Sequence, residues 1–236
     1  MASAEWTILG AGIVAATYAV IVAFYLRLGQ HALSWWEAAR RATPSGPVGI
    51  GASARAFAGA VVDIVFLRRL LLVNPALWIG EWVFHAALLA VVLRHLRYFM
   101  NPVPAWVTWA QTPGWIAGFL LPVALLYILA IRLLTGQEKF SSPANLLMLL
   151  DILALGVTGL LMSTRYRVDL AAAKLFALGI VTLTPSAPPA SGLFALHLGL
   201  ALALLLYIPS HVFTAPLVMV AARGRELELR RVLHDG

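Results

Sequence analysis

Five apolar stretches dominate this chain: residues 6–28, 76–99, 113–134, 144–163 and 192–220. Each is long enough, at ~20 residues, to cross the hydrocarbon core of a bilayer. Peptide groups in lipid find no water to bond, so each crossing has to be a helix that satisfies its own backbone. Composition agrees. Of 236 residues, 61% are apolar and only 11% charged, and the mean hydropathy is +0.88. A water-soluble domain needs far more polar surface than that. The expected fold is therefore all-α: an integral membrane bundle of five helices over residues 1–236, a single domain without internal repeats. The opening "MASAEWTILGAGIVAATYAV" lacks the basic segment of a secretory leader and runs straight into an apolar span. It reads as a retained first helix.

The basic residues orient the bundle. Six lie in the 27–75 loop (Arg27, Arg40, Arg41, Arg55, Arg68, Arg69), two follow the third span (Arg132, Lys139), and four are in the tail (Arg223, Arg225, Arg230, Arg231). These twelve fall on one side, against five on the other: Arg94, Arg97, Arg165, Arg167 and Lys174. Cytoplasmic loops collect Lys and Arg, so the N-terminus is expected outside and the C-terminus in the cytoplasm, with the chain multi-pass in a plasma or cell inner membrane. The net charge of +7 is accounted for by these loop arginines, and no nucleic-acid partner is expected. Between the spans, residues 55–75 read as a helix lying on the inner surface, and 163–189 as an amphipathic outer cap ended by its prolines. "TPSGPVGIG" at 43–51 reads as a flexible inner loop.

With no cysteine present, disulfides, thiolate-held iron–sulfur clusters and thioether-linked haem are excluded, so a redox centre would need histidine or methionine. Four of the six histidines lie inside spans, His85 and His95 in the second, His197 and His211 in the fifth; His31 and His234 fall in loop and tail. Polar groups in lipid are costly and tend to be functional. Ten residues separate the first pair by about 15 Å and ~80° around the helix, and fourteen separate the second by about 21 Å and ~40°. Both pairs can thus face one bundle interior. Because the second and fifth spans run antiparallel, His95 meets His197 near the outer end and His85 meets His211 at the inner level. Two opposed imidazoles at each level suit bis-histidine haem b. Packing histidines, a proton path, or a metal transporter are the other readings of the same four residues. Only two carboxylates, Glu81 and Asp151, lie within the spans, too few for a hard-cation cage. Zinc ligands would converge at one depth rather than two.

The stretches "FHAALLAVVLRHLRYFMNPVPAWV" (84–107), "RYRVDLAAAKLFALGIVTLTP" (165–185) and "LHLGLALALLLYIP" (196–209) carry a resemblance. The chain resembles the membrane dihaem cytochrome b family that includes the gamma subunit of respiratory nitrate reductase. It is most similar to the branch found in the transmembrane complex associated with dissimilatory sulfite reductase and to the cytochrome b of heterodisulfide reductase. The resemblance covers about residues 60–220. It implies five helices, two b haems, a quinone site with menaquinone as the expected quinone, and an iron–sulfur partner subunit at the cytoplasmic face. His85, His95 and His197 match the family's haem ligands. The fourth ligand position falls on Ala215; His211, one turn earlier on the same face, is expected to substitute, with Met219 as the alternative.

A quinone site needs hydrogen-bond donors near a haem with an opening to lipid. Arg94 and Arg97 beside His95, and Lys174 in the cap, are the candidates; as span-end cations they also suit headgroup anchoring. Trp106, Trp109 and Trp115 read as interface anchors. Asp151 and Glu81 are candidates for a proton path, Glu81 also for a haem-propionate network or a pair with Arg68. The expected function is an electron-transfer subunit of a respiratory quinol/quinone oxidoreductase complex, linked to sulfur metabolism, nitrate reduction or hydrogenase in anaerobic respiration. Such a subunit is not itself catalytic toward the terminal substrate. The competing function is a non-haem transporter or scaffold.

Overall fold

A computed structural model of the chain describes residues 8–41, 50–136 and 142–210. Every described element is helical: α1 (Ile8–Arg41), α2 (Ile50–Val65), α3 (Arg68–Val73), α4 (Pro75–His95), a 3-10 turn (Leu96–Tyr98), α5 (Ala105–Trp109), α6 (Gln111–Leu134), α7 (Pro143–Thr164), α8 (Leu170–Val181) and α9 (Gly192–Ser210). Five of them are long and apolar enough to span a bilayer: Ile8–Glu37, Pro75–Tyr98, Gln111–Leu134, Pro143–Thr164 and Gly192–Ser210. The all-α five-helix expectation holds. The first helix runs past residue 28 to Arg41. The expected span end at 220, and with it His211, Ala215 and Met219, lies outside the described residues.

The chain divides into two units, Met1–Val22 with Ile79–Leu206, and Ala23–Trp78 with Tyr207–Gly236. In the first unit α6 is the most enclosed element. Ala117, Leu121, Ala124, Leu125 and Ile128 recur at helical spacing and are buried, whereas Leu120, Val123 and Leu126 on the other side are exposed. Exposed leucine is costly in water, but in lipid it is the ordinary outer surface.

Glycines set how closely the helices cross. A Cβ added at Gly80 would lie 2.7 Å from Tyr127 Cδ1, and one at Gly114 would lie 2.5 Å from Arg94 Cβ and 2.8 Å from the Ala90 carbonyl oxygen. The residue sums of the two contacts nearly match, so α4 and α6 run antiparallel in contact. Gly156 against Pro122 and Gly118 against Leu160 repeat the pattern between α6 and α7. Small residues at such crossings let backbones approach, which is the main source of helix association in lipid. At the α8 end, Val14 of α1 packs with Phe176 and Ile180 of α8 and with Phe194 of α9, and the Tyr18 hydroxyl donates to the Ile180 carbonyl at 3.2 Å.

Helix starts follow local chemistry. Ser142 caps α7 by accepting from the Asn145 N–H, with Pro143 at the first helical position; Asp169 caps α8 by accepting from Ala171 and Ala172. The cap region expected at 163–189 is thus a loop, the helix α8 and a second loop.

In the second unit, the 55–75 segment is not the single helix expected. It breaks after Val65, and Leu67 adopts a left-handed backbone with φ 47°. In one continuous helix, residues 63 and 69 would stand ~120° apart around the axis, facing different sides. The break instead brings the Arg69 guanidinium to 3.3 Å from the buried Asp63 carboxylate. Burying an unpaired charge would be costly, and this ion pair offsets the strained turn. Trp78 adds an indole N–H donated to the Phe66 carbonyl at 2.7 Å.

Candidate functional site

The site is built where α4, α7 and α9 meet. His95 is the last residue of α4, and His197 lies six residues after Ser191, in the second turn of α9. Their rings lie 6.4 Å apart, centroid to centroid, and are within 18° of parallel. Antiparallel helices bring the end of one and the start of the other to a single level, so two residues a hundred positions apart become neighbours.

Local bonds fix the rings. The His95 Nδ1–H donates to the Val91 carbonyl, four residues back in its own helix, at 2.7 Å. A carbonyl can only accept, so the proton of the neutral ring sits on Nδ1 and Nε2 carries the free lone pair. His85 repeats the device with the Glu81 carbonyl at 2.6 Å. His197 is held differently: its Nδ1 lies 2.9 Å from the Thr158 hydroxyl of α7. Gly159, next to Thr158, leaves the ring its space, since a Cβ there would stand 3.3 Å from His197 Cε1. All three histidines therefore use Nδ1 for orientation, leaving Nε2 as the nitrogen for a further ligand. Second-sphere bonds of this kind are what orients metal-ligating imidazoles.

The His95 end carries the cations. The Arg97 guanidinium donates to Gln111 Oε1 at 2.8 Å and to the Tyr98 hydroxyl at 2.6 Å, while its buried Nε has no protein partner. Gln111 in turn donates to the Val107 carbonyl at 3.0 Å. The Tyr98 ring sits 6.0 Å from that of His95. Arg94 packs its side-chain base against Gly114. Lys174 is half-buried on α8, the helix that packs against the Leu96–Tyr98 turn. Arg97 is thus woven into the α4–α6 joint, and Arg94 and Lys174 stand near the same end of the bundle.

At the other level, His85 is 48% exposed, with its Nδ1 4.0 Å from a Glu81 carboxylate oxygen. The carboxylate of Glu81 binds Arg132 of α6 at 2.9 Å, with the two side chains 13% and 22% exposed. Where the sequence offered Arg68 as one candidate partner, Glu81 pairs with Arg132, since the two share one end of two antiparallel neighbours. Asp151, two turns into α7, has a buried carboxylate oxygen with no hydrogen-bond partner. Among the described residues, no three histidine or acidic side chains converge into a metal-binding group.

Thr158, Gly159, Gln111 and Arg132 are the site residues that the sequence reading missed. Arg132 was counted only as a topology marker. A threonine in an apolar helix commonly bonds back to its own backbone, so nothing in the sequence singles out Thr158 as the partner of a residue on another helix.

Two curated relatives match the chain. It is 34% identical over 149 residues to the Hdr-like menaquinol oxidoreductase cytochrome b-like subunit of Archaeoglobus profundus, over 56% of this chain and 44% of the relative. It is 30% identical over 149 residues to the protein of the same description in Archaeoglobus fulgidus, over 56% of this chain and 45% of that relative. The chain spans less than half the length of these relatives. No protein-family model matches the chain, and no solved structure matches it. The similarity falls where the resemblance pointed, on cytochrome b-like subunits related to heterodisulfide reductase.

Proposed function

We propose that this chain is the haem b-bearing membrane subunit of a quinol oxidoreductase complex, passing electrons between a menaquinone pool and an iron–sulfur partner on the cytoplasmic side. The observation that carries the reading is the facing pair His95–His197. Two opposed neutral imidazoles at one depth would suit a bis-histidine haem b. The observed centroid separation is 6.4 Å, and both Nδ1 atoms are already occupied. This donor set fits a haem that His95 and His197 would hold at the outer level; His85, with His211 beyond the described residues, would hold the inner one. Bound there, haem b would supply a one-electron couple.

The chain's own residues supply position and environment. The Val91 and Glu81 carbonyls keep Nδ1 of His95 and His85 protonated, so that Nε2 is available to the iron. Arg97, held by Gln111 and Tyr98, stiffens the turn that follows His95. Arg94, Arg97 and Lys174 offer donors for a quinone head group at that end, and Asp151 and Glu81, at the other level, are the span carboxylates available to a proton path. The arginine bias of the 27–75 loop and the tail supports an inner face that docks an acidic partner.

Membranes containing the full chain test the reading. Reduced-minus-oxidised spectra should show b-type bands, pyridine haemochrome assay should return two haems per chain, and menaquinol should reduce at least one of them. Colourless membranes with the chain present at normal abundance would overturn the proposal.

A further inference from the structure

We infer that Thr158 and Gly159 of α7 form a seat that sets the tautomer and tilt of His197, so that a third helix tunes the outer haem separately from the inner one. The inference rests on the haem reading above and adds to it two residues that are not ligands.

Thr158 is 6% exposed, so its hydroxyl has no water to satisfy it. Three polar atoms surround its Oγ1: the Ala154 carbonyl at 2.8 Å, the Leu155 carbonyl at 3.1 Å and His197 Nδ1 at 2.9 Å. A hydroxyl has one proton and two lone pairs. Both carbonyls can only accept, so the arrangement that satisfies all four groups sends the hydroxyl proton to the α7 backbone. The Thr158 oxygen then accepts the His197 Nδ1–H. The reverse assignment would leave a buried carbonyl contact without its proton and put the imidazole proton on Nε2, where no metal could be bound. Thr158 thereby selects the ligating tautomer.

Its neighbour fixes the angle. With no Cβ at Gly159 the imidazole edge can lie against α7, whereas a methyl there would stand 3.3 Å from Cε1 and push the ring by a few tenths of an ångström. His95 and His85 have no such seat; a carbonyl of their own helix α4 holds each. Of the three described span histidines, His197 alone is steered from another helix: the Thr158 hydroxyl, which a point substitution can remove, bonds its Nδ1, and the Leu155 carbonyl of α7 lies behind it.

Redox titration and low-temperature EPR of the full chain in membranes test this. Thr158→Val keeps the volume but removes the hydroxyl acceptor, leaving Nδ1–H only the Leu155 carbonyl and the imidazole a weaker donor to ferric iron. One haem should then titrate at a more positive potential with a shifted low-spin EPR signal, while the other stays where it was. Thr158→Ser should restore both values. If Thr158→Val strips the outer haem, Gly159→Ala carries the test: its EPR signal should move although the hydrogen bond remains, and an unmoved signal overturns the inference. A coloured wild type whose Thr158→Val counterpart titrates identically overturns the inference and leaves the haem reading standing. A colourless wild type overturns both.

Discussion

The two histidine levels of α4 share one local device and differ in everything around it. At each, a carbonyl four residues back holds Nδ1. At the His95 level, a second helix supplies the facing ring, a third seats that ring, and the neighbouring charges are cationic, with Arg97 tied to Gln111 and Tyr98. At the His85 level the neighbours form an ion pair, Glu81 with Arg132, and the ring is half exposed. A helix can present an imidazole correctly through its own backbone. Making it one half of a clamp depends on what other helices bring, and each level is surrounded by different electrostatics.

The sharpest way to break this contrast is ligand removal. His95→Ala or His197→Ala should each lower the haem content from two per chain to one and leave the inner haem's potential unchanged. His85→Ala or His211→Ala should do the reverse. Retention of both haems in a His95→Ala variant would show that the facing rings do not act together.

Next in size is the ion pair at the His85 level. Arg132→Leu leaves a largely enclosed carboxylate without its partner, which should cost about 3 kcal/mol, read as a lowered midpoint in detergent denaturation. Adding Glu81→Gln should recover most of that loss, because removing both charges avoids the stranded one. If the double variant is no better than the single, the pair is not what stabilises that end.

The glycine crossings sharpen the comparison further. Gly114→Ala would press a methyl into Arg94 Cβ and the Ala90 carbonyl oxygen, one of them rigid backbone. It should cost about 2 kcal/mol and disturb the outer haem's spectrum. Gly80→Ala meets the Tyr127 ring and the fully buried Ile128 side chain, neither at a free far end, and should also cost about 2 kcal/mol. The smallest effect is expected for Arg97→Lys, which loses the forked contact to Gln111 and Tyr98 and should cost about 1 kcal/mol without loss of haem.

The spans were legible because hydropathy over ~20 residues is a long signal that no local exception can erase. The meeting of His95 with His197 was legible too, because antiparallel order and helical pitch fix depth from residue number alone. The break at Leu67 was not. No glycine or proline marks it, and the bond that accompanies it, from Arg69 back to Asp63, is a contact that no periodicity announces. Thr158 was hidden for the same reason: a residue on one helix oriented toward a ring on another leaves no pattern in either. Sequence periodicity reports which way a helix faces. Which individual side chains meet is decided by crossings, and those depend on where glycines such as Gly114 and Gly156 let backbones close up.

The meeting of α4, α7 and α9 at one level also bears on the order of assembly. His95 enters the bilayer a hundred residues before His197 leaves the ribosome, and the seat on α7 is laid down between them. While the hundred or so residues between them are made, the first ring has its local hydrogen bond and no ring opposite. A prosthetic group gripped from both sides would be captured only after the helix carrying His197 has been inserted, so loading would be a late step of assembly.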